Sequence, residues 1–219
     1  MLTIYGAFRS RASRNIWLCY ELGLPFKLVP VVQSYRLKGA APPPGTIETR
    51  SPEFLKINPH GHIPSIDDDG VVLHESLAIN LYLAKKHGGP LGPANIAEDG
   101  EMTMWSMWAL VERMGTPAYV ADGGFESMAL SVAMSGPKPE VLEALKGPFA
   151  ALDQALGKTG WLVGGRFTVA DINVAEIVRY ATPAKTLFDA NPNVKKWYDT
   201  CTGRPAYKKM WAEREKEPA

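Results

Sequence analysis

Apolar and polar positions change period along the chain. "MLTIY" (1–5) is a short run of β-formers and predicts a strand. Apolar side chains then return at Ala12, Ile16, Cys19 and Tyr20, a helical spacing over about Ser13 to Gly23 that the glycine stops. "PFKLVPVV" (25–32) predicts a second strand, parallel to the first when the helix between them is a crossover. "QSYRLKGAAPPPGTIET" (33–49) has three consecutive prolines and two glycines and reads as a long loop without regular structure. In "SPEFLKINP", Ser51 suits a cap, Pro52 the first helical position and Glu53 the helix dipole, so a short helix ends at Pro59. "HIPSI" and "VVLHE" flank Asp69-Gly70 as a hairpin, and "ESLAINLYLAKK" follows as a buried helix.

The pattern then loses its strands. "HGGPLGPANIAEDG" carries the glycine and proline of a linker. "EMTMWSMWALVERM" places Met102, Trp105, Ala109 and Glu112 on one helical face, with Met104, Trp108 and Val111 beside it. Val141, Leu142, Leu145, Phe149, Leu152 and Leu156 mark a further helix, and "TVADINVAEIVRYA", "VKKWYDTC" and "RPAYKKMWAERE" continue the period. The expectation is a small α/β layer followed by a helical bundle.

The 219 residues allow one large domain or two small ones, with 46% hydrophobic and 21% charged residues, an ordinary globular balance. A formal net charge of +1 gives no field that recruits nucleic acid or an anionic membrane. No run approaches the ~20 apolar residues of a membrane span. The start "MLTIYGAFRSR" is charged too early for a signal peptide, so the cytoplasm is the default. Cys19 and Cys201 are far apart and form no CxxC pair, which argues against a disulfide framework or a zinc site. Cys19 sits in an apolar helix pattern and is expected to pack as a small hydrophobe. His60, His62, His74 and His87 lack metal-ligand spacing.

Four stretches go beyond what a core requires. Pro64 heads a strand, where it either occupies an edge or places the Ile63–Pro64 bond in special use. Glu75 and Ser76 stand where a helix begins, and they either cap it or bind there. A ligand with a carboxylate and an ammonium suits that place: N–H groups and hydroxyl take the one, Glu75 the other. In "FRSRASR", Ser10 and Ser13 are potential caps, while Arg9, Arg11 and Arg14 with a helix N-terminus favour an anion or a thiolate. Thr168-x-x-Asp171 before an apolar helix is a capping box, with Asp171 expected to be sequestered.

Together "SRASR…ELGLPF", "NPHGHIPSI", "DGVVLHESLAINLYL" and "GGRFTVADINVAE" resemble the glutathione transferase family. The resemblance covers nearly the whole chain. It implies a thioredoxin-like α/β N-terminal domain with a mixed four-stranded sheet over 1–87, a linker over 88–97 and an all-α domain over 98–219. It also implies a cis Ile63–Pro64 bond, with the Ile63 backbone pairing with the cysteinyl part of glutathione as an added strand would. Glu75 and Ser76 would hold the γ-glutamyl end, and His62, where the family commonly has Gln or Lys, the glycine carboxylate.

Tyr5 and Ser10, five apart, are similar to serine-type members; Ser10 is the favoured thiolate activator, Tyr5 the next and Ser13 the third. No cysteine stands at the start of the first helix, which argues against the thiol-exchange chemistry of cysteine-type members. The implied protein is a homodimeric glutathione S-transferase with glutathione as co-substrate and no permanently bound cofactor. It would attack a mostly apolar small electrophile held between the domains by Phe8, Trp105, Trp108 and Met114. The rival readings are another glutathione-dependent enzyme on this scaffold (isomerase, dehalogenase or ether-cleaving lyase) and a non-catalytic binding member.

Overall fold

The computed structural model describes residues 1–111 and 124–217. Its contacts divide the chain into two units, one of Met1–His87 with Pro205–Ala219 and one of Gly88–Arg204.

In the first unit β1 (Leu2–Gly6), α1 (Ala12–Leu22) and β2 (Phe26–Val32) form a crossover that leaves β1 and β2 parallel, with Leu2 opposite Phe26. Gly23 ends α1 at φ 63, a left-handed conformation that costs glycine nothing. The long loop is not wholly irregular: α2 (Ser34–Leu37) and β3 (Ile47–Glu48) flank its prolines. β3 pairs in parallel with Val31 and Val32, so the mixed sheet has five strands rather than the four expected. Two residues carry no periodicity, and only the pairing partner makes them a strand.

α3 (Pro52–Ile57) starts as its sequence requires, with Ser51 Oγ accepting from Phe54 N at 3.2 Å. β4 (Ser65–Asp68) and β5 (Val71–His74) are antiparallel across Asp69 and Gly70, whose φ values of 54 and 89 suit the tight hairpin turn. The sheet order is β3-β2-β1-β4-β5. α4 (Ser76–His87) is tied to β4 through Asp68, which accepts from Tyr82 Oη at 3.1 Å and Lys86 Nζ at 2.6 Å.

The helical unit contains α5 (Ile96–Val111), α6 (Phe125–Ser135), α7 (Pro139–Thr159), α8 (Val169–Val178), α9 (Lys185–Ala190) and α10 (Pro192–Thr202). α6 and α9 were not anticipated, although Phe125, Met128, Ala129 and Val132 share one buried helical face. The expected linker is partly structured: a 3₁₀ turn spans Gly89–Leu91 and α5 already begins at Ile96. Arg166 pins this stretch, donating to Glu98 at 2.9 and 2.6 Å and to the carbonyls of Pro90 and Gly92.

Asp171 starts α8 with every oxygen engaged. Thr168 N (2.8 Å) and Thr168 Oγ1 (3.1 Å) donate to Oδ2, Trp197 Nε1 (2.8 Å) and Leu162 N (3.2 Å) to Oδ1. Burial nevertheless pushes its carboxyl up to about 6, with those donors opposing the rise.

α11 (Pro205–Lys216), which the sequence reading counts within the helical stretch 98–219, groups by its contacts with the first unit. It belongs with the first unit because it packs on α1, where Trp17 meets Tyr207 edge to face at 4.9 Å. A helical period identifies a helix and says nothing about which sheet or bundle receives it.

Candidate functional site

In the first unit α1 and α4 begin side by side around a buried polar knot. Arg14, 1% exposed, donates from Nη1 to Ser76 Oγ at 3.0 Å. Asn15 Nδ2 donates to the Ser76 carbonyl at 2.8 Å and to Asn80 Oδ1 at 2.7 Å, and Asn80 Nδ2 donates to the Arg14 carbonyl at 3.2 Å. A guanidinium stays charged, so Arg14 adds a fixed positive charge where the N–H groups of α4 open. Glu75 is exposed and its carbonyl accepts from Ile79 N at 2.9 Å, which makes it the residue that leads into α4. Its φ of 70 is uncommon for a residue with a side chain. The expectation singled out Arg14 only as one of three cations and missed Asn15 and Asn80; nothing in their local spacing marks them.

The loop from α3 to β4 is held by Asn58, which sequence reading also missed. Its Nδ2 donates to the His62 carbonyl at 2.8 Å and to Ser65 Oγ at 3.2 Å, and its Oδ1 accepts from His60 N at 3.0 Å. Gly61 has φ 63, and a Cβ there would sit 2.7 Å from the Thr49 carbonyl oxygen, so only glycine lets the loop pass. The Ile63–Pro64 bond is cis. Ile63 packs with Val31 and Phe54, and Tyr5 lies against the same cluster. The β4–β5 ladder ends with Ser65 opposite His74, so Pro64 and Glu75 leave the sheet together. His62 is exposed.

The three hydroxyl candidates have different surroundings. Ser10 Oγ donates to the Ala7 carbonyl at 2.7 Å and accepts from Ala12 N at 3.1 Å, leading into α1. Ser13 is 1% exposed, inside α1. Tyr5 is half-buried, its ring 6.5 Å from that of Phe54. Burial, then the charge of Asp68, pushes the Cys19 thiol up to about 12, so it has no thiolate chemistry at neutral pH.

Phe8 is half-buried in the β1–α1 loop. Trp105 and Trp108 lie on α5 of the helical unit, edge to face at 5.2 Å, and Trp108 continues to Phe125 at 5.1 Å. Met114 lies outside the described residues. Among the described residues no group of three or more His, Cys, Asp or Glu is placed to hold a metal, and no helix is long and apolar enough to cross a membrane.

Comparison with known proteins gives this arrangement a family. Residues 5–91 match the family model of the glutathione S-transferase N-terminal domain, and residues 113–205 that of the C-terminal domain. Glutathione S-transferase F13 of Arabidopsis thaliana is 30% identical over 220 residues, covering 95% of this chain and 94% of its own. The chain belongs to the glutathione S-transferase family. Glutathione S-transferase GstB of Escherichia coli is 26% identical, with 96% of this chain and 97% of that one covered. Among solved transferases, glutathione S-transferase-I bound with lactoylglutathione superposes with a TM-score of 0.74 at 25% identity, covering 97% and 99% of the two chains. Tyr5, Ser10, Arg14, Ile63, Pro64, Glu75 and Ser76 all fall within the matched transferase N-terminal stretch, whereas Trp105 and Trp108 fall between the two matches.

Proposed function

We propose that this transferase lays glutathione across the polar knot and directs its thiolate at a small electrophile. The observation that carries the reading is the Arg14–Ser76 bond at the foot of α4, beside the point where Pro64 and Glu75 leave the sheet. The γ-glutamyl carboxylate meets the Ser76 hydroxyl and the N–H groups of α4, with Arg14 behind them. The Glu75 carboxylate takes the ammonium. The Ile63 backbone pairs with the cysteinyl unit as a further strand would, and His62 reaches the glycyl carboxylate.

Ser10 is the thiolate donor in this reading. Its hydroxyl donates to the Ala7 carbonyl, and rotation about Cβ–Oγ turns the O–H toward sulfur while Ala12 N still donates to the oxygen. The helix N-terminus and the cations of the loop favour the anion. Lowering a thiol from ~8.5 by two units amounts to about 2.7 kcal/mol and raises the thiolate fraction at neutral pH from a few per cent to a majority. Tyr5 is the alternative donor. Phe8, in the β1–α1 loop beside Ser10, is proposed to contact the electrophile. The same reading makes the protein a homodimer, for which exposed Val71 and Val72 on β5 offer apolar surface.

Ultraviolet titration of the bound thiolate tests the mechanism. Ser10→Ala is expected to raise the thiol pKa of the complex by at least one unit. An unchanged value removes Ser10 from this role, and absence of any calorimetric signal with millimolar glutathione removes the transferase reading.

A further inference from the structure

Asn58 does more than close the turn after α3. Its N–H ends that helix by donating to the Phe54 carbonyl at 2.9 Å, and its backbone is extended (φ -134, ψ 102), as suits a residue before proline. The side chain is 2% exposed, and both Nδ2 hydrogens and Oδ1 are engaged. His60 N can only donate and the His62 carbonyl can only accept, so these partners fix which way the amide faces. The two N–H bonds grip the chain on either side of Ile63 and Pro64, at the His62 carbonyl (2.8 Å) and at Ser65 Oγ (3.2 Å).

In a trans peptide the carbonyl and the following N–H point in opposite directions. The His62–Ile63 peptide is trans and its carbonyl is drawn to the buried Asn58 amide, so the Ile63 N–H is turned away from that amide. Ile63 is only 9% exposed, a place where a backbone N–H is ordinarily paired, yet this one has no acceptor among the described residues. We propose that Asn58 is a positioning residue for the tripeptide: through the His62 carbonyl it aims the Ile63 N–H at the cysteinyl carbonyl of glutathione. The inference rests on the glutathione reading of this unit and adds the group that sets the direction of the strand-like bond.

The surroundings keep that aim fixed. Gly61 N donates to the Asn58 carbonyl at 2.9 Å while Asn58 Oδ1 takes His60 N, so main chain and side chain close the same turn. The Ile63 side chain packs with Val31 and Phe54, which anchors the peptide beyond the carbonyl. Rotating the His62–Ile63 plane would break a hydrogen bond to a buried amide, and that cost holds the N–H in place. A purely architectural Asn58 would secure the loop through either N–H bond, whereas the aim depends on the His62 bond alone.

The test separates those two bonds. Asn58→Asp keeps the shape and the acceptor for His60 N, but an ionised carboxylate has no hydrogen for the His62 carbonyl; protonated, it has one again. Ser65→Ala removes the other partner and leaves the His62 bond in place. Calorimetry measures binding of S-methylglutathione, which has no thiol to titrate, relative to the original protein at each pH. Asn58→Asp is expected to weaken binding about tenfold at pH 8, the equivalent of about 1.4 kcal/mol, and to recover to within about twofold at pH 5. Ser65→Ala is expected to stay within about threefold at both pH values. Equal losses in the two variants, or no recovery of Asn58→Asp at pH 5, overturn the proposal.

Amide NMR of the unsubstituted chain gives a test that no folding defect can obscure. On saturation with S-methylglutathione the Ile63 amide proton is expected to move downfield. An unmoved Ile63 signal while the Ser76 amide responds overturns the role of Asn58 and leaves the glutathione reading standing. Silence at both amides, with no heat at millimolar ligand, removes the two together.

Discussion

Trp197→Phe isolates one hydrogen bond to a buried carboxylate. The indole Nε1 donates to Asp171 Oδ1 at 2.8 Å, and the two residues are 2% and 0% exposed. A bond to a charged group contributes about 1.5–3 kcal/mol, against about 0.5–1.5 for a neutral one, so the loss depends on whether Asp171 is ionised. Burial raises its folded value to about 6, above the ordinary carboxylate range near ~3.9.

Between those two pH values the folded chain holds a proton that the unfolded chain has released. The contribution of Asp171 to stability is therefore fully present below ~pH 4 and is lost as pH rises to about 6, a swing of about 3 kcal/mol. Removing the indole donor weakens the ionised form most. Urea unfolding followed by circular dichroism should show Trp197→Phe costing about 1 kcal/mol more at pH 8 than at pH 5. The cavity left by the smaller ring is the same at both pH values and cancels in that difference. Equal costs at the two pH values would refute the assignment of a buried, ionisable Asp171.

Other perturbations address the remaining devices. Ser76→Ala removes the acceptor of Arg14 Nη1 and should raise the KM for glutathione about tenfold, with a stability loss of about 1–3 kcal/mol visible in thermal unfolding. Gly61→Ala places a Cβ 2.7 Å from the Thr49 carbonyl oxygen at φ 63 and should destabilise by about 2 kcal/mol or more, measured by urea titration. Arg166→Met releases Glu98, whose carboxyl is held down at about 2 chiefly by the Arg166 hydrogen bonds. That depression stabilises the fold above the unfolded glutamate value and is lost as pH falls toward 2. The acid-side decline of the melting temperature between pH 4.5 and 2 should therefore be shallower in the variant.

What the sequence determined by itself were the features set within a few residues. Gly23 stops α1, Ser51 and Pro52 start α3, Asp69 and Gly70 turn the hairpin, and Thr168 with Asp171 starts α8. Each depends on a local φ or a hydrogen bond three residues away, and so survives any change of tertiary context. The order of strand and helix periods likewise announced an α/β layer before a bundle. Pro64, Glu75 and Ser76 stood out because a strand or helix start had no local need for all of them.

Only the tertiary structure decided which partners these residues meet. β3 exists because Val31 and Val32 lie beside Ile47 and Glu48, and α11 joins the first unit because Trp17 offers Tyr207 a face. Arg14 and Ser76 are 62 positions apart, and Arg9 and Arg214 are 205 apart. Such pairs owe their energy to burial and to charges brought close through space, and one-dimensional spacing does not encode either.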